Sequence, residues 1–362
     1  MMEKLLLDKT VKEFTVTKNH IDSDVTSGNI RKIDMNISFR IVYMDSDEED
    51  AVTFESYIID WIYNVKQKQL KPTSFDRIEN TVKYQVVPYI GGIAINQLCS
   101  QDIEGMIQEL REEYSHSTIK KAYEAVKACL EYAKKRGVIY NNPADLVELP
   151  RNNDDLKVKF WEDNEITVFV HEALRKDEYG ERIYRLGSAF VFLLSTGIRV
   201  GEALALKWED IDFVKSVAYI NKNVALVKNR KEGKRYVMVE QSTKTKSGMR
   251  VVPLNQAALN ALDDLKCING DFDFVISNAK GGYMLHKNLD RTFKKILENC
   301  GLKKTGIHTL RHTFASKLFR CGTDIKTISE ILGHSDVSVT SDIYVHVVQE
   351  QKMMAVKMAD FI

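Results

Sequence analysis

Between Phe54 and Gly137 the apolar residues recur at α-helical spacing, and this confines the stretch to a helical domain. Phe54, Tyr57, Ile58, Trp61 and Ile62 form one stripe, which predicts a helix from about Phe54 to Lys68. A second, from about Ser74 to Val87, is expected to end before Pro88. A third opens at Ser100, a good N-cap residue type, with Asp102 in its first turn. A fourth runs from about Ser117 to Arg136 and stops at Gly137. The first 50 residues differ: Ile37 to Met44 is rich in Ile, Val, Phe and Tyr and reads as β. The acidic run Asp45 to Asp50 reads as a solvated linker.

The second half begins after a polar linker, residues 151–159. From Phe160 onward helices alternate with short β signals at Ser216 to Ile220, Tyr236 to Glu240, Arg250 to Leu254 and Phe274 to Ser277. The polar turn Thr243 to Gly248 lies between the middle two, which predicts a β-hairpin with lysines at its tip. The fold class expected is mainly α with a small antiparallel β-sheet.

Charge taken whole is uninformative: 52 basic residues stand against 51 acidic ones. Divided, it is not. Residues 1–50 hold 7 basic and 11 acidic side chains, residues 51–151 hold 13 of each, and residues 152–362 hold 32 and 27. The basic surplus therefore lies in the C-terminal half. A membrane span is not expected, because the apolar run near Ala189 to Leu194 is far below the roughly 20 residues required. Leu5, Leu6 and Leu7 are followed at once by Asp8 and Lys9, unlike a secretory signal. Five cysteines without metal or redox spacing agree with a cytoplasmic protein.

Four segments of this half hold unusual residues. In Ser195 to Leu204 an apolar helix breaks at Gly197, and Arg199 and Glu202 share a face at i and i+3. In His308 to Ala315 the i, i+3 pair is His308 and Arg311, which with His312 make a cationic face opposite Leu310 and Phe314. In Leu332 to Asp336, Gly333 ends a helix and sets His334 at the next turn. In Thr340 to His346, Tyr344 follows His334 by ten residues. Taken singly, these read as a surface ion pair worth little, a solvated helix face and a core tyrosine.

Together they suit one chemistry, phosphoryl transfer to a tyrosine oxygen. Two guanidiniums can grip the non-bridging oxygens of a DNA phosphodiester and stabilise the charge added in the transition state. Tyrosine, with an ordinary pKa of roughly 10, needs local positive charge or a base to attack at neutral pH. Lysine can protonate the departing sugar oxygen, and histidine can hold the phosphate or carry the proton of the nucleophile. No metal or cofactor is called for.

At these residues the sequence resembles the tyrosine recombinase (phage integrase) family, in particular the integrases of Gram-positive phages and conjugative transposons. The matching stretches are TGIRVGEALALKW at 196–208, TKTKSGMRVVPL at 243–254, HTLRHTFAS at 308–316 and LGHSDVSVTSDIYVH at 332–346. The resemblance implies a helical core-binding domain at 53–150 and an α+β catalytic domain at 160–346, together forming a clamp on DNA. It also implies that Arg199 and Arg311 bind the scissile phosphate. His308 and His334 complete the pocket, with His308 favoured for proton transfer. Tyr344 is the nucleophile, and Glu202 holds Arg199. For the general acid it offers Lys246, beside Ser247-Gly248, ahead of Lys244. In many relatives the tyrosine follows the second histidine by nine residues, but ten also occurs; His346 reads as structural.

The resemblance further implies a site-specific recombinase of a mobile genetic element, working through a 3′-phosphotyrosine and a Holliday junction. The expected partners are double-stranded DNA attachment sites, three further copies in a homotetramer, and accessory DNA-bending or directionality proteins, in a bacterial cytoplasm at the nucleoid. Residues 1–50 would be an arm-type DNA-binding module, though their charge suits phosphate poorly. Residues 347–362 would dock on a neighbouring protomer. The alternatives are a topoisomerase IB-like enzyme that cleaves and rejoins without exchange, and a non-catalytic DNA-binding protein.

Overall fold

The computed structural model describes residues 11–22, 34–43, 52–150, 160–231, 233–242 and 249–334. Two compact units divide at residues 151 and 152.

In the first unit, strands β1 (Val11–Asp22) and β2 (Asp34–Tyr43) pair antiparallel, from Val11 opposite Tyr43 to Asp22 opposite Asp34. The β signal at Ile37 therefore belongs to a longer strand, and its partner β1 was not legible. Four helices follow. The first, α1, starts as Phe54–Trp61 and runs through a π-helical turn, Ile62–Lys66, to Gln69. Phe54, Ile58, Trp61 and Ile62 from its stripe are buried. Helix α2 (Pro72–Thr81) does not stop before Pro88 as expected. It passes through a π turn, Val82–Val86, into Val87–Ile90. Pro88 has no N–H to give, and the widened turn absorbs this: Val87 N–H donates to Val82 O, and the distortion falls on Val86 at φ −120°.

Helix α3 (Ser100–Glu113) is capped one residue earlier than expected, at Cys99, whose N–H donates to Asp102 Oδ2 at 2.9 Å. Helix α4 (His116–Lys135) ends at Gly137, φ +74°. The buried side of these helices (Ile103, Leu110, Ile119, Val126 and Leu130 among others) forms one core with α1 and α2. The Tyr123 hydroxyl closes the following segment onto α4 by donating to Ala144 O at 2.8 Å.

The second unit is built around α6 (Gly187–Thr196), in which every residue from Gly187 to Leu193 is buried. A helix apolar on all sides must be covered on all sides. It packs against α5 (Asp163–Ala173), α8 (Gln256–Asn269) and α10 (His308–Arg320). Trp161, Phe169, Phe190 and Phe293 meet in one aromatic cluster, with ring centroids 4.7 to 6.3 Å apart. Each such burial contributes about 1.5–3 kcal/mol. Between α6 and α8 run the short α7 (Val200–Ala203) and strands β3 (Ile211–Asp212), β4 (Val217–Ile220), β5 (Lys222–Lys228), β6 (Tyr236–Ser242) and β7 (Arg250–Pro253). Helices α9 (His286–Asn299) and α11 (Ile325–Leu332) flank α10 in the chain.

One expectation is corrected. Strands β6 and β7 do not form a hairpin with each other among the described residues. β6 pairs with β5, from Lys222 opposite Ser242 to Lys228 opposite Tyr236, while β7 joins β4 in the sheet β3-β4-β7. Strand β5 is joined to β6 by the short segment 229–235, and its Val224 and Val227 are both buried. Residues 274–277 form bridges only, Lys207 with Phe274 and Ser277 with Tyr283.

Helix α10 is tied to the segment Trp161 to Asp163 from its middle and its C-terminal half. Trp161 N–H donates to Thr313 Oγ1 at 3.0 Å, Arg320 grips Glu162 through both terminal nitrogens at 2.5 and 2.8 Å, and Lys317 pairs with Asp163 at 2.5 Å. Among the described residues no helix is long and apolar enough to cross a membrane.

Candidate active site

Gly197 starts the site. It ends α6 in the left-handed region, φ +63°, where side chains are strained. A Cβ here would also lie 2.3 Å from Phe314 Cδ1 and 3.0 Å from Leu332 Cδ2. The turn swings the chain so that Arg199 becomes the N-cap of α7 in extended conformation. Glu202, at the third helical position, accepts the Arg199 N–H at 2.8 Å on Oε2 and Arg199 Nη1–H at 2.9 Å on Oε1. The i, i+3 pair is therefore not the surface ion pair of the plainer reading, because the Glu202 side chain is only 2% exposed.

A third residue completes this arrangement. Arg250, the first residue of β7, donates Nη1–H to Glu202 Oε1 at 3.1 Å and Nη2–H to Oε2 at 2.8 Å. The carboxylate thus accepts four hydrogen bonds, two on each oxygen, which fills its lone-pair sites. Burial pushes the Glu202 carboxyl up, but the hydrogen bonds and charge of Arg250, and then of Arg199, more than offset this and hold it below its ordinary value.

Three guanidiniums converge on the end of α11. Arg250 Nε–H donates to Ile331 O at 2.7 Å, Arg311 Nη2–H to Leu332 O at 2.8 Å and Arg199 Nη2–H to Gly333 O at 2.9 Å. Three successive carbonyls at a helix C-terminus, where the dipole is negative, each receive one arginine. Gly333 makes the turn possible at φ +68°. Its N–H donates to Glu330 O and the His334 N–H to Ser329 O, the paired bonds of a Schellman motif. Arg311 also donates Nη1–H to Gly197 O at 2.8 Å, which ties α10 to the turn before Arg199.

The histidines lie in the field of these arginines. His308 opens α10, and its ring meets that of His312 edge-on with centroids 4.9 Å apart. Enclosure by protein, then the charges of Arg311 and Arg199, hold the His308 imidazole below its ordinary value, although the residue is still exposed. Burial, then His308 and Arg311, push His312 down to about 4. Burial, then Arg311 and Arg199, push His334 down to about 4 as well. The cationic helix face expected for α10 is thereby corrected. At neutral pH His312 is neutral, and Arg311 is not solvated but 3% exposed. Burial disfavours the charged imidazole, and the neighbouring guanidinium charge adds to that cost.

Five of the expected site residues, Arg199, Glu202, His308, Arg311 and His334, are thus brought together across more than a hundred residues of sequence. Lys246, Lys244, Tyr344, His346, the segments 1–10 and 151–159 and the tail 347–362 lie outside the described residues. Arg250 was missed as a site residue, although it stands in the motif at 243–254. The available signal was a charged side chain opening an otherwise apolar strand, Arg250-Val251-Val252-Pro253.

Residues 162–351, more than half of the chain, match the phage integrase family, and residues 54–148 match the phage integrase central domain. A tyrosine recombinase XerC-like protein of Caldanaerobacter subterraneus subsp. tengcongensis is 29% identical, over 99% of this chain and 91% of that protein. Among solved structures, the Tn1549 transposon integrase in complex with transposon right end DNA is similar with a TM-score of 0.70 at 21% identity, covering 83% of this chain and 99% of that one. A lambda integrase tetramer bound to a Holliday junction is similar with a TM-score of 0.61 at 18% identity, covering 82% of this chain and 78% of that one. At these identities the solved structures establish the fold, mainly helical with small antiparallel sheets. The arginine cluster at the end of α11 and the family match over residues 162–351 lead to one conclusion: the chain belongs to the phage integrase family and is a tyrosine recombinase, an enzyme that cuts and rejoins DNA.

Proposed function

We propose that the chain is the site-specific recombinase of a mobile genetic element, and that Arg199, Arg311, His308, His334, Lys246 and Tyr344 carry its chemistry. The observation that supports this best is a charge balance. Among the described residues three guanidiniums stand beside one carboxylate, which bonds to Arg199 and Arg250 while Arg311 is held by carbonyls, and with His312 and His334 neutral the cluster is net +2. A bound phosphodiester carries one negative charge, and its pentacoordinate transition state approaches two. The cluster therefore matches the transition state better than the ground state, which is the condition for catalysis.

In this reading Tyr344 Oη attacks the scissile phosphorus and loses its proton to His308, directly or through the phosphate. Arg199, whose side chain is 38% exposed, and Arg311 hold the non-bridging oxygens. The bond to the 5′-oxygen breaks, Lys246 gives that oxygen a proton, and a 3′-phosphotyrosine remains. The 5′-hydroxyl of a partner strand then reverses the step. The bond energy is kept in the phosphotyrosine, so no nucleotide cofactor is needed. Two such rounds exchange both strands through a four-way junction and require four protomers on two sites. Residues 53–150 would grip the duplex opposite the catalytic domain, residues 1–50 would bind arm-type sites, and residues 347–362 would dock in trans. DNA-bending or directionality proteins would set the outcome.

The test is a suicide substrate nicked beside the cleavage site of the element's own ends. The wild-type chain should form a covalent adduct, and Tyr344→Phe should bind the DNA without forming one. An adduct with Tyr344→Phe would refute the nucleophile, and no adduct with the wild type would favour a DNA-binding protein. A strand-exchange assay separates recombination from relaxation without exchange.

A further inference from the structure

Arg250 is the arginine of the cluster whose Nε and both terminal nitrogens are all spent within the protein. Its side chain is 7% exposed, and its backbone is paired with Ile220 in the sheet. Arg199 makes the complementary compromise. Its guanidinium spends a single side-chain hydrogen bond on Glu202, from Nη1 to Oε1, and turns Nη2 to Gly333 O. The second oxygen of Glu202 is occupied by the Arg199 N–H and by Arg250 Nη2.

We propose that Arg250 is a positioning residue that saturates Glu202 and so keeps the Arg199 guanidinium available to the scissile phosphate. This rests on the recombinase reading above. The physical reason is competition for a buried anion. Glu202 is 2% exposed and must be neutralised by a partner inside the protein. With Arg250 in place, that demand is met from β7 by a planar fork that matches the carboxylate. Without it, Arg199 is the remaining cation bonded to Glu202 among the described residues. Arg199 then swings both terminal nitrogens onto the carboxylate, leaves Gly333 O and withdraws its donors from the phosphate. The cluster falls from +2 to +1 at the same time. The bond from Arg250 Nε to Ile331 O adds a second constraint, because Ile331 lies three residues before His334.

The test measures single-turnover cleavage of the nicked substrate at saturating DNA, DNA affinity, and thermal unfolding. It compares the full-length wild type with Arg250→Met, Glu202→Gln and the double variant. Arg250→Met should cleave about tenfold or more slowly, with DNA affinity changed by less than about twofold. The double variant should cleave faster than Arg250→Met alone, because a neutral amide no longer captures Arg199. A role in folding alone also predicts relief, because Glu202→Gln removes the buried charge left uncompensated, but it predicts no cleavage defect at a temperature well below every variant's Tm; a defect and its relief measured there mark the positioning role. A double variant no faster than the single one, or a loss confined to DNA affinity, would overturn the proposal. If Arg250→Met does not fold, Arg250→Lys serves in its place. It keeps the charge but reaches one oxygen, and its cleavage defect should likewise be relieved by Glu202→Gln; unrelieved, it refutes the proposal. A wild type that forms no adduct would reject the recombinase reading, whereas normal cleavage by the Arg250 variants would reject only this role.

Discussion

Arg311 donates from Nη1 to the carbonyl of Gly197 at 2.8 Å, across 114 residues of sequence. The bond joins the helix that carries His308 to the turn that delivers Arg199, and the other terminal nitrogen of Arg311 holds the end of α11 before His334. One buried side chain thus sets the three parts of the site against one another.

Gly197 should tolerate no side chain. Gly197→Ala puts a Cβ into the left-handed region and 2.3 Å from the Phe314 ring. The combined strain and overpacking should cost about 2–4 kcal/mol. A lowered Tm in thermal unfolding, with cleavage lost as Arg311 loses its acceptor geometry, is the expected result.

Arg311→Lys keeps the charge but not the planar fork that holds Gly197 O and Leu332 O from two separate nitrogens, because its ammonium is a compact charge on a shorter, flexible stem. The catalytic domain should stay folded while adduct formation falls by about 10²–10³-fold. Single-turnover cleavage together with circular dichroism would check both halves.

Stability should fall in acid partly through Glu202. Its folded-state pKa lies below the ordinary 4.5, so the unfolded chain binds the proton more tightly. The contribution is complete above pH 4.5 and is lost as pH falls through the folded value. Chemical unfolding of Glu202→Gln between pH 3 and 6 should give a shallower pH dependence than the wild type.

The histidines give a second test of protonation, with the same sign. In the free protein the His312 and His334 imidazoles should titrate near pH 4, as burial and the arginines require. An unfolded histidine titrates near 6.5, so these residues favour the folded state above pH 6.5 and lose that effect as pH falls towards 4. A bound phosphodiester adds a negative charge beside them and should raise both values. Imidazole chemical shifts, followed by NMR with and without cleavage-site DNA on Tyr344→Phe, would show the rise; unchanged values would separate the histidines from the phosphate.

Much of this protein is written locally. The stripe of Phe54, Ile58, Trp61 and Ile62 makes a helix by its own period, and Gly137, Gly197 and Gly333 end helices because the left-handed turn excludes other side chains. The pairing of Arg199 with Glu202 follows from one helical turn, and the motifs in their order announce the family. Tertiary structure decided the rest, because it depends on partners distant in sequence. Strand β6 could pair with β7 or with β5, and it pairs with β5 from Lys222 to Lys228. Arg250 looked like the edge of a strand until β7 carried it to Glu202. Arg311 read as a solvated charge and is buried among carbonyls, and the histidines beside it are neutral for the same reason. Local periodicity fixes which elements form. Desolvation and charge compensation, which exist only once those elements meet, fix what the side chains at the site can do.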